Sequence, residues 1–318
     1  VNIKSRTVVD NKMEKVYDLI IVGAGPAGIT AAIYAARKKM DCLVLTVDVG
    51  GQTAWSGDIE NYTGYQFVSG RELTAKFEEH IKKYNVKVKE NEAVKELRKE
   101  GGKIFVKTEK NTYLSRSLII ASGKKSKELS VPGEKEYKNK GLTYCATCDG
   151  PLFEGKEVVV VGGGNSALDA ALQLIRIAKK VYVMNISDKL AGDAVMRDKL
   201  ESADNVTVIN NAEVIKILGR KMVEGLRYRI GDEEKELSAG GVFVEIGLIP
   251  NSEFTRGIDK NKQGEILVNS ITETNVPGIF AAGDVTDVIE KQIIIAAGEG
   301  AKAALKAFRY LLETEEDI

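Results

Sequence analysis

One glycine pattern occurs twice in this chain, each time between an apolar run and an amphipathic one. The first copy reads VYDLIIVGAGPAGITAAIYAARKK, with Gly23, Gly25 and Gly28 spaced G-x-G-x-x-G. The second reads KEVVVVGGGNSALDAALQLIRIAKKVYVMN, with Gly162, Gly164 and Ala167 spaced G-x-G-x-x-A. Each predicts a strand, a tight turn and a helix. The first glycine permits the turn, and the second lets a pyrophosphate approach the backbone. The third position lets the helix lie close to the strand, and the helix start offers free N–H groups to phosphate. A glycine pattern alone is a weak signal. Strand, turn, helix, second strand and a closing acid, in that order, are a strong one. In the first copy DCLVLTVD is the second strand, and Asp48 stands at its end, placed to bind a ribose.

The two copies continue in parallel. After the first come KIFVKTEKNTYLS and SLIIASG. After the second come VTVINNAEVIKILG, VEGLRYRI and GGVFVEIGLIPN. Each copy predicts a parallel βαβ unit, a β-meander and a returning strand that ends at a glycine, Gly123 or Gly247. The chain is therefore a diverged internal duplication of the α/β class, with two Rossmann-like dinucleotide-binding domains. No shorter repeat suggests a solenoid.

A length of 318 residues suits two such domains. Lys plus Arg and Asp plus Glu both number 46, so no net field gathers nucleic acid or an acidic membrane, and neither partner is expected. Three cysteines suit a reducing compartment, which predicts a cytoplasmic protein. The apolar stretch from Leu19 to Ala36 is broken by patterned glycines and followed by RKK, so it reads as neither a leader nor a membrane span. Residues before Met13 read as a polar extension. The single histidine, His80, falls in RELTAKFEEHIKKYNV and reads as a solvated helix residue, the only candidate for a Ser–His or Cys–His mechanism.

The ordered set GAGPAG, ASG, CATCDG, GGGNSA and FAAGDV resembles the low-molecular-weight thioredoxin reductases, from about Tyr17 to the C-terminal helix. YCATCDGPLF and KQIIIAAGEGAKAAL are especially similar to the C-terminal reductase part of the alkyl hydroperoxide reductase flavoprotein, whose N-terminal redox module has no counterpart in these residues. The resemblance implies two three-layer ββα domains, one inserted in the other. An FAD-binding domain would take residues 1–126 and 253–318. An NAD(P)-binding domain carrying the cysteine pair would take residues 127–252. FAD would lie on Gly23, Gly25, Pro26, Ala27, Gly28 and Asp48, with Gly51, Gln52 and Asn61 near the flavin and Val94 near the adenine. Ala121, Ser122 and Gly123 would border it. Gly283 and Asp284 would reach its ribityl and pyrophosphate part, and Lys291, Gln292 and Ile293 would stand at the start of the last helix. The nicotinamide dinucleotide would lie on Gly162, Gly164, Asn165, Ser166, Ala167, Asn185, Ile246 and Gly247. The resemblance also implies a homodimer, a return of the chain to the first sheet around Asn251 to Phe254, and rotation of the inserted domain about linkers near Lys124–Glu128 and Asn251–Phe254.

TYCATCDGPLF holds the remaining chemistry. A Cys-x-x-Cys pair fits a metal, a staple or a redox couple. A structural zinc needs four ligands, and beyond Cys145 and Cys148 the chain offers only Cys42 and His80. Cys42 lies in the apolar run CLVL and reads as a small buried hydrophobe. No metal is expected. A staple between residues three apart closes almost no loop and stabilises little. A redox pair is the remaining reading. The resemblance puts Cys148 against the flavin C4a and makes Cys145 the thiol that attacks a partner disulfide. It makes Asp149 a proton donor or acceptor, while DGP is equally good turn chemistry.

The function so implied is a flavin-dependent disulfide reductase. It would pass electrons from a nicotinamide cofactor through FAD and the cysteine pair to thioredoxin or a thioredoxin/glutaredoxin-like protein. The alternatives within enzymes are a peroxide-linked NADH flavoprotein reductase or oxidase, and a reductase using a non-nicotinamide donor such as reduced ferredoxin. Outside enzymes stand a nucleotide-binding sensor and a metal-binding module. On the donor the sequence departs from the family. NADPH-using members carry HRR after the second strand of the inserted domain and an arginine shortly after, and those cations hold the 2′-phosphate. Here Asn185, Ile186, Ser187 and Ala191 occupy those places, and Asp188 adds a negative charge. Each missing charge-assisted hydrogen bond costs about 1.5–3 kcal/mol of phosphate binding. NADH is therefore expected over NADPH. Asn185 could bond ribose hydroxyls, and Lys189 could reach back to compensate in part.

Overall fold

The computed structural model describes residues 15–56 and 58–316, so the polar extension before Met13 lies outside the described residues. The chain opens with β1 (Val16–Ala24), α1 (Pro26–Arg37), β2 (Cys42–Val49) and a short helix α2 (Gln52–Trp55). Then come the two-residue strands β3 (Asp58–Ile59) and β4 (Val68–Ser69), α3 (Gly70–Lys83), β5 (Lys87–Lys89), β6 (Val94–Glu100), β7 (Lys103–Thr108) and β8 (Thr112–Ile120). The middle of the chain forms β9 (Lys124–Ser126), α4 (Glu134–Tyr137), β10 (Leu142–Thr143), α5 (Ala146–Asp149), β11 (Glu157–Val161), α6 (Asn165–Leu174) and β12 (Lys180–Met184). It continues through α7 (Ala194–Glu201), β13 (Val206–Ile209), β14 (Glu213–Gly219), β15 (Val223–Ile230), β16 (Glu233–Ser238), β17 (Gly241–Val244) and β18 (Leu248–Pro250). The chain closes with β19 (Ile279–Ala281) and α8 (Ile293–Glu316).

Two compact units result. Among the described residues, one gathers 15–51, 77–123 and 251–316, and the other 52–76 and 124–250. The segment 52–76, which carries Gln52 and Asn61, thus groups with the second unit, where β3 lies beside α5.

The first unit is built on a seven-stranded sheet in the order β5-β2-β1-β8-β7-β6, with β19 also pairing β8. β1 is parallel to both β2 and β8, and Leu19, Ile20 and Ile21 are fully buried. Burial on both faces is what an unbroken apolar run provides. On its edge away from β1, β8 serves two partners along its length. Its first half pairs antiparallel with β7, and its second half pairs parallel with β19. The expected meander strand and returning strand are therefore one continuous strand. Pro26 starts α1, where its missing N–H is no loss. The small buried residues of α1, among them Gly28, Ala31, Ala32 and Ala35, admit the 24-residue α8 against the same face. The approach is close: a Cβ on Gly300 would sit 2.0 Å from the Ala27 carbonyl oxygen.

The second unit has a five-stranded parallel sheet in the order β10-β17-β11-β12-β13. Its valine-rich central strand β11 is buried. α6 covers one face with Ala167, Leu168, Ala170, Ala171 and Leu174, at helical spacing. Here the meander is separate, a three-stranded antiparallel sheet β14-β15-β16 tied across its strands by Arg227–Glu236 and Arg229–Glu213 ion pairs. The chain leaves it at Ala239 and Gly240 and re-enters the parallel sheet at Gly241. A Cβ on Gly241 would lie 2.3 Å from the Phe153 ring, which stacks edge-on against Phe243. The glycine makes room for that ring.

The two segments that cross between units were expected as linkers near Lys124–Glu128 and Asn251–Phe254. β9 and β18 pair with each other antiparallel, Lys124 opposite Pro250. Asn251 then pins the end of the first sheet. Its N–H donates to the Gly123 carbonyl at 2.9 Å, its amide donates to the Ser122 carbonyl at 2.8 Å, and the Ser122 hydroxyl donates to the Asn251 carbonyl at 2.7 Å. The strand that returns to the first sheet is β19, some way beyond these residues.

Candidate functional site

In the first unit the glycine turn joins β1 to α1. Gly23 takes a left-handed φ of 106°, and a Cβ there would lie 2.3 Å from the Ala121 carbonyl oxygen, so the turn rests on the Ala121–Gly123 segment. A Cβ on Gly28 would fall 1.9 Å from the Gly23 carbonyl oxygen. Gly25 differs from both. Its φ is an ordinary −77°, and a Cβ there would meet no protein atom nearer than the Gly50 carbonyl oxygen at 4.0 Å. Nothing inside the protein demands glycine at that position. A pyrophosphate lying on the backbone would demand it, and the residues fit a bound dinucleotide. Asp48 is exposed at the end of β2, beside the turn. Thr46 braces the junction, accepting from the Ala24 N–H at 3.2 Å and donating to the Asp48 carbonyl.

Gly283 approaches the same helix start. A Cβ on it would lie 2.9 Å from the Ala27 methyl, at a φ of 78° that favours glycine. Lys291 donates to the Thr286 carbonyl at 2.6 Å and pairs with Glu265 at 3.4 Å, while the Gln292 carbonyl accepts from Ala296 in the first turn of α8. The fold thus brings Gly23–Gly28, Asp48, Gly51, Ala121–Gly123 and Gly283 around one end of the first sheet. Val94 begins β6. Gln52 and Asn61 belong to the second unit, where the Gln52 amide donates to the Lys124 carbonyl at 2.7 Å.

In the second unit the turn from β11 to α6 repeats the logic. Gly162 has a φ of 144°, and a Cβ there would lie 2.3 Å from the Glu245 carbonyl oxygen. Gly164 has a φ of −94° and open space where a Cβ would be, so it too has room for a group on its backbone. Gly162–Ala167, Ile246 and Gly247 lie together where β11 and β17 end, which is where the strand order reverses. Open α/β sheets bind ligands in that crevice. The loop after β12 folds back over the turn. The Ala191 N–H donates to the Gly163 carbonyl at 2.7 Å and the Asp193 N–H to the Asn165 side chain at 2.8 Å. Asn185 is only 4% exposed. Its amide donates to the Ser187 and Lys189 carbonyls and to Asn210, and its oxygen accepts from the Ser187 N–H. The side chain shapes the loop from within. Ile186, Ser187, Asp188 and Lys189 are exposed.

Cys145 and Cys148 form a disulfide. Cys145 caps α5, with its sulfur accepting from the Cys148 N–H at 3.2 Å, and both residues are half-buried. Buried Thr143 joins the pair to Asp149: its hydroxyl donates to the Asp149 carboxylate and accepts from the Cys145 N–H at 3.3 Å. Cys42 is buried in β2, and burial pushes its thiol well above the ordinary range, as the apolar run predicted. His80 is exposed on α3, against Tyr84.

Three residues near the pair had no signal in the sequence. Thr143 reads as an ordinary strand residue. Glu134, in the polar run EKEY, is 1% exposed and accepts from the Leu129 N–H at 2.7 Å, the Ser130 N–H at 2.6 Å and the Tyr144 hydroxyl at 2.9 Å. It therefore fixes the residue next to Cys145. Burial pushes the Tyr144 phenol up, and the Glu134 bond adds to the rise. The third is Glu245, just past β17 and half-buried: burial pushes its carboxyl up to about 7, the Ala146 N–H opposes the rise, and Asp169 adds to it. A closing acid on a buried strand looks like an end-of-strand solvated charge until its neighbours are known.

The model for the family described as pyridine nucleotide-disulphide oxidoreductase matches residues 17–300. Among curated proteins, the chain is 44% identical over 301 residues to a Bacillus subtilis protein named NADH dehydrogenase, covering 93% of this chain and 59% of that protein. It is 43% identical over 307 residues to the F component of the alkyl hydroperoxide reductase of Escherichia coli, covering 94% of this chain and 59% of that one. The chain thus spans about three-fifths of the length of these curated relatives. Among solved structures, a thioredoxin reductase from Streptococcus pyogenes superposes with a TM-score of 0.90 at 36% identity, covering 94% of this chain and 99% of that one.

Proposed function

This chain belongs to the pyridine nucleotide-disulphide oxidoreductase family, and from that premise we propose that it reduces a disulfide in a thioredoxin- or glutaredoxin-like protein with electrons from NADH. The observation that carries the proposal is the Cys145–Cys148 disulfide, half-buried and joined through Thr143 to Asp149. FAD, when bound, supplies the two-electron chemistry that links a nicotinamide donor to this disulfide. We assign it to the first turn, with Asp48 at a ribose, Ala121–Gly123, Gly283 and Asp284 along its length, Gln52 and Asn61 near the flavin, Val94 near the adenine, and Lys291–Ile293 at the start of α8. The second turn, with Asn165, Ser166, Ile246 and Gly247, takes the nicotinamide dinucleotide.

The cysteines divide the work. Cys145 attacks the partner's disulfide as a thiolate, and Cys148 resolves the mixed disulfide. Asp149, held by Thr143, exchanges the proton of the thiol that leaves. On the donor, Asn185 is spent inside its loop, and the exposed loop residues include one acid and one base, Asp188 and Lys189. That environment offers a 2′-phosphate no cluster of cations, which favours NADH. Relatives named NADH dehydrogenase support the same direction.

The test is anaerobic stopped-flow of flavin bleaching, followed by turnover with candidate carrier proteins. NADH should bleach the flavin about tenfold or more faster than NADPH at equal, sub-saturating concentration. Cys145→Ser should bleach normally and lose protein-disulfide reduction by about a thousandfold or more. A clear NADPH preference overturns the donor assignment, and near wild-type turnover in Cys145→Ser overturns the relay.

A further inference from the structure

The polar run EKEY hides a carboxyl with three partners. Glu134 opens α4 and is 1% exposed. It accepts from the Leu129 N–H at 2.7 Å, the Ser130 N–H at 2.6 Å and the Tyr144 hydroxyl at 2.9 Å. A carboxylate has lone pairs for all three donors and no hydrogen to set against them, whereas an amide would turn an N–H toward one of them. The donors come from two places. Leu129 and Ser130 lie on the segment that leaves β9. That segment is fixed at its start, where the Lys127 N–H donates to the Gly247 carbonyl at 2.9 Å, at the edge of the second glycine crevice. It is fixed again at its end, where the Pro132 carbonyl accepts from the Ile217 N–H at 2.9 Å and a Cβ on Gly133 would lie 2.4 Å from the Ile217 carbonyl oxygen. Between these points Ser130 takes a left-handed φ of 61°, which a residue with a Cβ holds at a cost. Tyr144 lies elsewhere in the chain, between β10 and Cys145, with the Lys138 ammonium 5.2 Å from its ring centre.

We propose that Glu134 is a positioning residue for Cys145: through the Tyr144 hydroxyl it ties the start of the cysteine turn to the segment 127–130, and so holds the Cys145 sulfur where it meets the Cys148 N–H. The proposal rests on the reading of Cys145 and Cys148 as the redox couple. Tyr144 and Cys145 share a peptide bond, so a ring fixed at its far end fixes the backbone that carries the sulfur. The other ties at this point are longer: the Cys145 N–H donates to the Thr143 hydroxyl at 3.3 Å, and the Cys145 sulfur accepts from the Cys148 N–H at 3.2 Å. A donor held at the sulfur favours thiolate over thiol once the disulfide is opened. Loosening Tyr144 weakens that contact, and Cys145 then keeps its proton to higher pH. The charged groups around the turn are Asp149, bonded to Thr143, Lys138 and Glu128 near Tyr144, Glu245 just past β17, and Asp169 on α6. The substitutions that test the tie leave all of these in place.

The experiment reads the reactivity of Cys145. The flavin-loaded protein is reduced with dithiothreitol, whose two thiols close to a cyclic disulfide as the Cys145–Cys148 bond opens to two thiols. Excess reagent is removed without oxygen, and iodoacetamide is applied from about pH 6 to about pH 10. Peptide mass spectrometry separates Cys145 from Cys148 and Cys42. Tyr144→Phe keeps the ring and removes only the bond to Glu134. It should slow alkylation of Cys145 about three- to tenfold at about pH 7 and leave the rate unchanged at about pH 10, where the thiol is ionised in both proteins. Glu134→Gln should shift the profile in the same direction. The double variant should be no slower than the slower single variant, because both substitutions break one tie. An unshifted Tyr144→Phe profile overturns the proposal. So does a rate change uniform across pH, which marks access alone, and so does a double variant whose slowing is the product of the two single ones. If Glu134→Gln does not fold, the Tyr144→Phe profile decides by itself. Reduction and alkylation need neither nicotinamide nor carrier protein, so failure of the proposed relay would appear in turnover and not in these profiles.

Discussion

Gly28 and Ala167 occupy the same place in the two glycine turns, and the packing around them explains why they differ. In the first unit a methyl at this position would drive into the Gly23 carbonyl. There α1 lies close beside α8, which packs on the same sheet, with Gly300 against Ala27. In the second unit the methyl of Ala167 is present and fully buried. α6 packs against α5, α7, β11 and β12, and the Ala167 methyl lies over Gly162. The second glycine of each motif shows the opposite behaviour. Gly25 and Gly164 both have ordinary φ and room for a Cβ, so neither is required by its own unit. One motif therefore contains two kinds of glycine, one crowded by its own unit and one with room for a side chain, and only the crowded kind varies between the copies.

The largest effect that could break this comparison is in packing. Gly28→Ala should destabilise the protein by about 3–5 kcal/mol, because backbone blocks the new methyl and no rotamer relieves it. Ala167→Gly should cost only about 1–2 kcal/mol, from a lost buried methyl and a freer helix start. Urea unfolding of both variants measures the difference, and equal losses would show that helix spacing does not separate the units.

A smaller and more selective effect is expected at the ligand positions. Gly25→Ala and Gly164→Ala should each change stability by less than about 0.5 kcal/mol in protein stripped of nucleotide. Gly25→Ala should lower flavin content on purification. Gly164→Ala should leave flavin content intact and raise the KM for NADH by about tenfold or more. Cross-effects, such as flavin loss in Gly164→Ala, would mean that the two turns are not assigned one ligand each.

The last effect is in pH dependence, where the two units hold acids of opposite character. In the first unit the Thr108 hydroxyl at 2.6 Å, aided by Tyr113 and Asn111, holds the buried Glu92 carboxyl below its ordinary range against the pull of burial. Its stabilising contribution is present above the unfolded carboxyl pKa and is lost as pH falls through the depressed folded value. Glu92→Gln should thus weaken the protein at neutral pH and converge with wild type in acid. Glu245 is raised, so its contribution is full below the unfolded value and is lost as pH rises through about 7. Glu245→Gln should match wild type in acid and exceed it by about 1–2 kcal/mol near pH 8. Thermal unfolding across pH tests both, and a shift of the same sign in the two variants would remove the contrast.

Much of the architecture was legible because it is written in local patterns. The buried runs of β1 and β11, the turns at Gly23 and Gly162, and the amphipathic α6 each follow from residues within a few positions of one another. The pairing of Cys145 with Cys148 was legible from their spacing and from the scarcity of other ligands. The fusion of meander and return strand into β8 was not, because whether a strand continues past a sheet edge depends on its partners. β7 ends where β19 takes over, and β19 lies far along the chain. In the second unit the same junction breaks at Gly240–Gly241, under a ring from Phe153. The engagement of Asn185 inside its own loop was equally hidden, since its position at a strand end reads as ligand-facing.

Periodicity, glycine spacing and the Cys-x-x-Cys pair by themselves determined a duplicated dinucleotide fold with a dithiol chemistry, because these signals arise from backbone sterics and short-range covalent spacing. Which side chains surround that dithiol was decided only in three dimensions. Glu134 and Thr143 reach Cys145 and its neighbour from separate elements. Burial and charge act through space over a few ångströms, and no local pattern records which distant carboxyl the fold will place beside a thiol.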